Sequence, residues 1–249
     1  MRWIDGALMG FDTETTGVDV GTDRVVTAAL VRRAGSAAPG TPSLSTVTWL
    51  IDPGVPIPAG AAAIHGVTTA HARAHGRPAA VALEEIATGL AAALRRGEPV
   101  VAFNASYDLS LLDAELRRHR LPTLPERIGH EVRTVVDPLV LDRYLDRYRP
   151  GKRRLGDLCA HYGVTTAALH TAEVDVLATL DVLAAIAAAH PELAAMTLDE
   201  VHDLQVTAHR TWAEGFNAWR TQQGLVGAGA ELDWPSRVPA VGPLWPVPA

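Results

Sequence analysis

The first fifty residues carry short apolar runs separated by turn-forming residues, the pattern of strands rather than helices. Ala7 to Phe11 is one such run, Arg24 to Arg33 encloses the β-prone stretch Val25 to Val31, and Thr46 to Ile51 is a third. Asp19 to Asp23, with Gly21, reads as the first turn and Ala34 to Pro42 as the second, so the three strands are expected to form an antiparallel meander. From Pro56 onward the spacing becomes helical. Ala61 to Ile64 is a short helical stretch, and Val81 to Arg95 repeats Leu83, Ile86, Leu90 and Leu94 on one face. Val100 to Phe103 reads as a buried strand and Ser106 to His119 as an amphipathic helix, with Arg117 and Arg118 placed where cations suit the helix dipole. Thr134 to Val136 is a weaker strand; Pro138 to Tyr148 and Leu155 to Tyr162 are helical. Thr171 is positioned to cap a long Ala-rich helix running to about Ala189, and Leu198 to Gln223 forms one more helix, carrying Trp212, Phe216 and Trp219. A meander followed by strand–helix units predicts an α/β fold: a mixed sheet with flanking helices. Gly224 to Ala249 is rich in Gly and Pro, cannot form a regular element, and is expected to be partly pinned by Trp234 or Trp245.

Composition narrows the class. With 249 residues, 48% hydrophobic and 20% charged, the chain buries one sizeable core and is neither fibrous, disordered nor membrane-spanning in character. The single cysteine, Cys159, forms no internal disulfide and reads as a small buried hydrophobe; with no apolar signal run after Met1, a cytoplasmic location is expected. A formal charge of −6 argues against coating long duplexes by phosphate neutralisation, but not against gripping one strand end. Basic clusters at Arg117 to Arg120 and Arg147 to Arg154 fit either a polyanion or solvated helix faces.

The chemistry lies in the acids. Asp12 and Glu14, at i and i+2 at the end of an apolar strand, share one face, and Thr15, Thr16 and Gly17 follow with small polar groups and a flexible backbone. Among 28 acidic residues one such pair arises by chance; Asp113 and Glu115 form another, on a helix where neighbours two apart diverge. A second buried strand leads through Asn104 to Asp108 at a helix start, and His170 precedes Asp175 in the apolar opening of the long helix. If Asp12, Glu14, Asp108 and Asp175 converge, each close pair costs about 4 kcal/mol at 4 Å with an effective dielectric near 20. Divalent cations remove that cost, and oxygen-only ligands favour magnesium or manganese, two of which suit in-line phosphoryl displacement. His170 supplies a base able to take a proton from water near neutral pH. His71 and His75, four apart without a third ligand nearby, read as exposed polar positions rather than a zinc site.

At these residues the sequence resembles the DnaQ-like DEDDh 3′-to-5′ exonucleases, the family of the bacterial proofreading subunit, oligoribonuclease and ribonuclease T. Phe11 to Gly17 is similar to the first motif, Asn104 to Asp108 to the second, His170 to Asp175 to the third, and Ile64 to Thr68 to the Ile-His-Gly-Ile-Thr segment between them. The resemblance implies a ribonuclease H-like fold. It also implies two cations, Mg²⁺ or Mn²⁺, with Asp12 bridging both, Glu14 and Asp175 completing one site and Asp108 serving the other. His170 would be the general base, and Thr15, Thr16, His65 and Asn104 would line the pocket for the terminal nucleotide. The implied organisation is an exonuclease domain over 1–195, a helix over 196–223 packed on or extending it, and a tail over 224–249. The implied partner is DNA or RNA with a free 3′ end, single-stranded by preference, with no membrane. Phe103 departs from the pattern, standing where many relatives have His. Gln222 to Leu225 lacks the second hydrophobic anchor of a sliding-clamp peptide, so polymerase or clamp association is unsupported. Two other readings stay open: a non-catalytic nucleic-acid-binding module on this scaffold, and another two-metal phosphohydrolase.

Overall fold

The computed structural model describes residues 2–35 and 43–237. After a single 3₁₀ turn, Trp3–Asp5, the chain forms β1 (Leu8–Thr15), β2 (Val25–Arg33) and β3 (Leu44–Asp52), then α1 (Ala59–His65), α2 (Thr69–His75), the short β4 (Arg77–Pro78) and α3 (Ala79–Arg95). There follow β5 (Val100–Val101), α4 (Ala105–Arg118), α5 (Leu124–Ile128), β6 (Val135–Val136), α6 (Pro138–Leu145), α7 (Leu155–Tyr162), α8 (Ala172–Ala189), α9 (Pro191–Ala195) and α10 (Leu198–Gln222). Six strands make one mixed sheet in the order β4-β3-β2-β1-β5-β6. β1, β2 and β3 pair antiparallel, as the meander requires, and β5 and β6 extend the sheet parallel to β1. Most of the predicted second turn, 36–42, lies outside the described residues, as does Trp245.

Strand alternation divides the core into two layers. Met9 and Phe11 face α3 and α4, packing with Leu83, Leu90, Leu109 and Leu112. Leu8 faces the other way, into a cluster with Leu158, Leu180 and Leu183 from α7 and α8. α8 is apolar nearly all round because neighbours cover most of its circumference. It approaches β1 so closely that a Cβ on Gly10 would stand 2.3 Å from Val176 Cγ1, so a glycine there sets the depth of the helix.

Several elements differ from the sequence reading. β1 continues through Thr15, so Asp12 and Glu14 are inside the strand rather than beyond its apolar run. β5 stops at Val101 because the chain turns at Asn104, which takes a left-handed conformation (φ 61°) before α4. α6 ends at Leu145 instead of Tyr148. α2 gave no periodic signal because it buries only Ala72, and α5 is a single turn held by a capping box between Thr123 and Glu126. Thr171 does not cap α8 through its side chain; the Asp175 carboxylate takes the His170 N–H across that end instead. Trp234, from the segment after α10, is 6% exposed and belongs to the core beneath α4. Cys159 is buried. Among the described residues no helix is long and apolar enough to cross a membrane.

Candidate active site

The even positions of β1 that carry Leu8 and Gly10 toward α8 continue as Asp12 and Glu14, so both carboxylates leave the sheet on the α8 side. The close approach at Gly10 brings Val176, and with it the neighbouring Asp175, against that strand. Asp12, Glu14 and Asp175 consequently offer carboxylate oxygens that lie within 4.8 Å of one another. The odd positions do the opposite: Thr13 faces α4, and Asp108 Oδ1 accepts from its backbone N–H at 3.1 Å and from its hydroxyl at 2.6 Å. Asp108 is therefore fastened to the same strand from the other layer.

Electrostatics record how tightly these groups sit. Burial, then the charges of Asp108, Asp175 and Glu14, push the Asp12 carboxyl well above its ordinary range. Glu14 rises to about 7, through burial and then Asp175. Asp108 rises to about 7 through burial, against its two bonds from Thr13. Asp175 is raised by burial, and the His170 N–H, 3.1 Å from Oδ1, partly offsets this. Clustered acids with raised pKa values are an arrangement that a hard cation relieves, and the oxygen-only donor set fits magnesium, manganese or calcium rather than zinc. The group of Asp12, Glu14 and Asp175 is the sole such grouping among the described residues; His71 and His75, with ring centroids 4.8 Å apart, gather no further ligand.

The remaining predicted residues occupy distinct positions. His170 is exposed, in a left-handed conformation (φ 84°) costly for a non-glycine residue, and touches Asp175 through its backbone. His65 is half-buried at the end of α1; its Nδ1 accepts from the Val67 N–H at 3.2 Å, which leaves the proton on Nε2. That Nε2 is buried and has no partner among the described residues. Burial lowers the His65 pKa, and the nearby Thr15 backbone works the other way, so the ring stands beside the end of β1. The hydroxyls of Thr15 and Thr16 are committed within the protein: Thr15 donates to Gly17 O at 2.6 Å and meets Tyr107 Oη at 2.9 Å, and Thr16 donates to Asp23 Oδ1 at 2.7 Å. Asn104 is exposed at the start of α4.

Sequence reasoning missed Asp137 and Tyr107. The buried Asp137 carboxylate accepts the N–H groups of Asn104 (3.0 Å), Ala105 (2.9 Å) and Leu139 (2.9 Å), which fixes the left-handed turn that launches α4 and Asp108. Its signal was an acid between strand residues and Pro138, the sequence of a helix N-cap with proline at the first helical position. Tyr107 ties α4 to Thr15 and Gly17, and nothing in its spacing announced that role. A cavity of about 370 Å³ lies elsewhere, between α4, α10 and the segment around Trp234, and none of the four clustered acids lines it.

Residues 9–183 match the family model RNase_T, described as exonuclease. The DNA polymerase III PolC-type of Streptococcus thermophilus is 31% identical over 171 residues, 68% of this chain and 10% of the relative. That of Streptococcus agalactiae is 29% identical over 180 residues, 72% of this chain and 11% of the relative. The chain thus spans about a tenth of the length of these curated relatives. In architecture it is similar to E. coli Exonuclease I in complex with a dT13 oligonucleotide (TM-score 0.63, 20% identity, 76% of this chain and 42% of that one). It is also similar to Exonuclease I from Methylocaldum szegediense (TM-score 0.61, 24% identity, 86% and 45%).

Proposed function

The chain belongs to the DnaQ-like 3′-to-5′ exonuclease family, and from that premise we propose that it hydrolyses the terminal phosphodiester at the 3′ end of single-stranded DNA or RNA and releases 5′-mononucleotides. The observation that carries this reading is the meeting of Asp12, Glu14 and Asp175 within 4.8 Å, with Asp108 charging the same pocket from α4.

Asp12, Glu14 and Asp175 would hold the divalent cations, two Mg²⁺ or Mn²⁺, with Asp108 contributing from the α4 side. When bound, such ions lower the pKa of the attacking water and neutralise charge on the leaving 3′-oxygen. The chain's own residues do the rest. His170, exposed on the loop before α8, takes the proton as water attacks phosphorus. The bond from phosphorus to the 3′-oxygen breaks, the leaving oxygen takes a proton from solvent, and the shortened strand keeps a 3′-hydroxyl. His65, whose ring stands beside the end of β1, and the exposed Asn104 would line the pocket for the terminal nucleotide, while Thr15 and Thr16 would shape it through the backbone that their hydroxyls hold. Asp137 and Tyr107 act as positioning residues for α4 and the β1 end. Residues 1–195 form the exonuclease domain in this reading, and α10 with the following segment is an addition to it.

A 5′-labelled oligonucleotide incubated with Mg²⁺, with and without chelator, tests the proposal. Stepwise shortening from the 3′ end, stopped by chelator and by a blocked 3′-hydroxyl, is expected. Binding without shortening would favour a non-catalytic module, and cleavage indifferent to the 3′ block would favour another phosphohydrolase.

A further inference from the structure

β6 is the last strand of the sheet, with β5 on one side and no strand on the other. Toward β5, the carbonyls of Thr134 and Val136 accept the Val100 and Ala102 N–H groups at 2.9 and 3.2 Å. The Val135 carbonyl and the Asp137 N–H point the other way, in a segment at most 1% exposed, where an unpaired backbone group is costly. The Gln205 side chain of α10 meets both: Oε1 accepts the Asp137 N–H at 2.7 Å, and Nε2 donates to the Val135 carbonyl at 3.0 Å. Bonding the residues on either side of Val136 is the pattern of a parallel neighbour, so one side-chain amide completes the edge as a further strand would. Gln205 is itself wholly buried, and its Nε2 also donates to the Val201 carbonyl at 3.1 Å, one turn earlier in α10.

From there a chain of bonds runs to the carboxylate site. The Asp137 carboxylate accepts the N–H groups of Asn104 and Ala105, at 3.0 and 2.9 Å, and so holds the left-handed residue (φ 61°) from which α4 starts. One turn into α4, Asp108 accepts the N–H and the hydroxyl of Thr13, the residue between Asp12 and Glu14. Every member of this chain except Gln205 falls within residues 9–183, the span of the family match. The matched segment thus leaves two buried backbone groups of its own sheet edge to be satisfied from beyond it.

We propose that Gln205 is a positioning residue for the carboxylate site: from α10 it fixes Asp137, and through Asp137 the turn at Asn104 and the placement of Asp108. α10 is then an addition in sequence on which the site depends. The catalytic consequence rests on the exonuclease reading; the mechanical one does not. Gln205→Met keeps the side-chain length and removes the bonds to Val135 and Asp137. Gln205→Glu keeps them, because burial beside Asp137 favours the neutral carboxyl, which accepts and donates as the amide does. Val201→Ala, in the apolar cluster on the same helix, lowers stability without removing any of these bonds. Amide hydrogen exchange of the full chain in chelator, and 3′-shortening kinetics in Mg²⁺, are measured well below the thermal midpoints. In Gln205→Met the Asn104 and Ala105 amides should exchange about tenfold faster, kcat should fall about tenfold and KM should rise, whereas loss of folded protein alone lowers apparent kcat at constant KM. Gln205→Glu should restore all three, and Val201→Ala should leave them within about twofold of wild type. Unchanged exchange at Asn104 and Ala105 in Gln205→Met would overturn the proposal, as would unchanged kinetics beside faster exchange, or equal effects of Val201→Ala. Where Gln205→Met does not fold, exchange of the wild type in increasing urea decides: the Asn104, Ala105 and Asp137 amides should open together with those of α10 around Gln205, and opening of Asn104 while Asp137 stays protected would sink the idea. A wild type that shortens no oligonucleotide, with faster exchange in Gln205→Met, would refute the exonuclease reading and leave the mechanical role standing.

Discussion

Asp12 bears the charges of Asp108, Asp175 and Glu14 at once, in a buried setting that already disfavours ionisation. Removing its charge therefore has opposite effects on stability and on turnover. Asp12→Asn should reduce hydrolysis by on the order of a thousandfold or more, while raising the thermal midpoint of the chelated protein, because one repelling carboxylate is gone. Midpoints measured in chelator and in Mg²⁺ check this: the wild type should gain stability from the ion and the variant should gain little. A variant less stable than wild type in chelator would show that the acids do not repel one another in the folded state. Asp12 and Glu14 were legible in the sequence as an i, i+2 pair at the end of an apolar strand, Asp108 as an acid at a helix start after a buried strand, and Asp175 as an acid in an apolar run, where an unpaired charge is costly. Asp137 was legible only as a helix N-cap before Pro138, since the bonds it takes from Asn104 and Ala105 come from residues that only the fold brings to it. The hydroxyls of Thr15 and Thr16 looked available in sequence and are spent on Gly17 and Asp23, contacts that a turn makes and a motif does not display.

Elements are held in the register the site needs by a few contacts of identifiable kind. A methyl on Gly10 would meet Val176 at 2.3 Å and Leu180 at 3.2 Å, so Gly10→Ala should lift α8 from β1. We expect a loss of about 1–3 kcal/mol in urea unfolding, together with weaker Mn²⁺ binding as Asp175 moves away. Unchanged metal affinity would mean that α8 depth does not set the site. β2 is tied to the turn that leads into β5 by Glu98, 2.8 Å from Arg96 and 2.7 Å from Arg32. The Arg96 hydrogen bond first, with Arg32 assisting against burial, holds the Glu98 carboxyl down at about 2. A depressed folded value means that the stabilisation is present above the unfolded value near 4.5 and is lost as pH falls toward 2. Glu98→Gln should therefore cost about 1–2 kcal/mol at pH 7, discounted because both arginines are partly exposed, and the gap from wild type should close between pH 4.5 and 2. A gap independent of pH would assign the effect to packing. The meander and the long helices could be read from hydrophobic spacing. By contrast α2, with Ala72 as its one buried residue, and the single-turn α5 are short pieces whose burial is decided by neighbours.

At the scale of the whole molecule, the C-terminal segment returns across α10 and α4: Asn217 bonds both polar backbone groups of Ala230, and Trp234 enters the core cluster of Leu109 and Leu112. Trp234→Ala should cost about 3 kcal/mol by urea unfolding, as for other buried tryptophans; a cost within about 0.5 kcal/mol would show that the segment rests on the surface without stabilising the body. The sequence foresaw some pinning of this segment but could not tell which tryptophan bears it, because Gly- and Pro-rich stretches carry no periodicity. What unites the layers is the convergence of β1, α4 and α8 on one cation-holding pocket, and anomalous diffraction from crystals soaked in Mn²⁺ tests it most directly. Manganese density is expected in contact with Asp12, Glu14 and Asp175; manganese bound only elsewhere, with those carboxylates unliganded, would rule the pocket out.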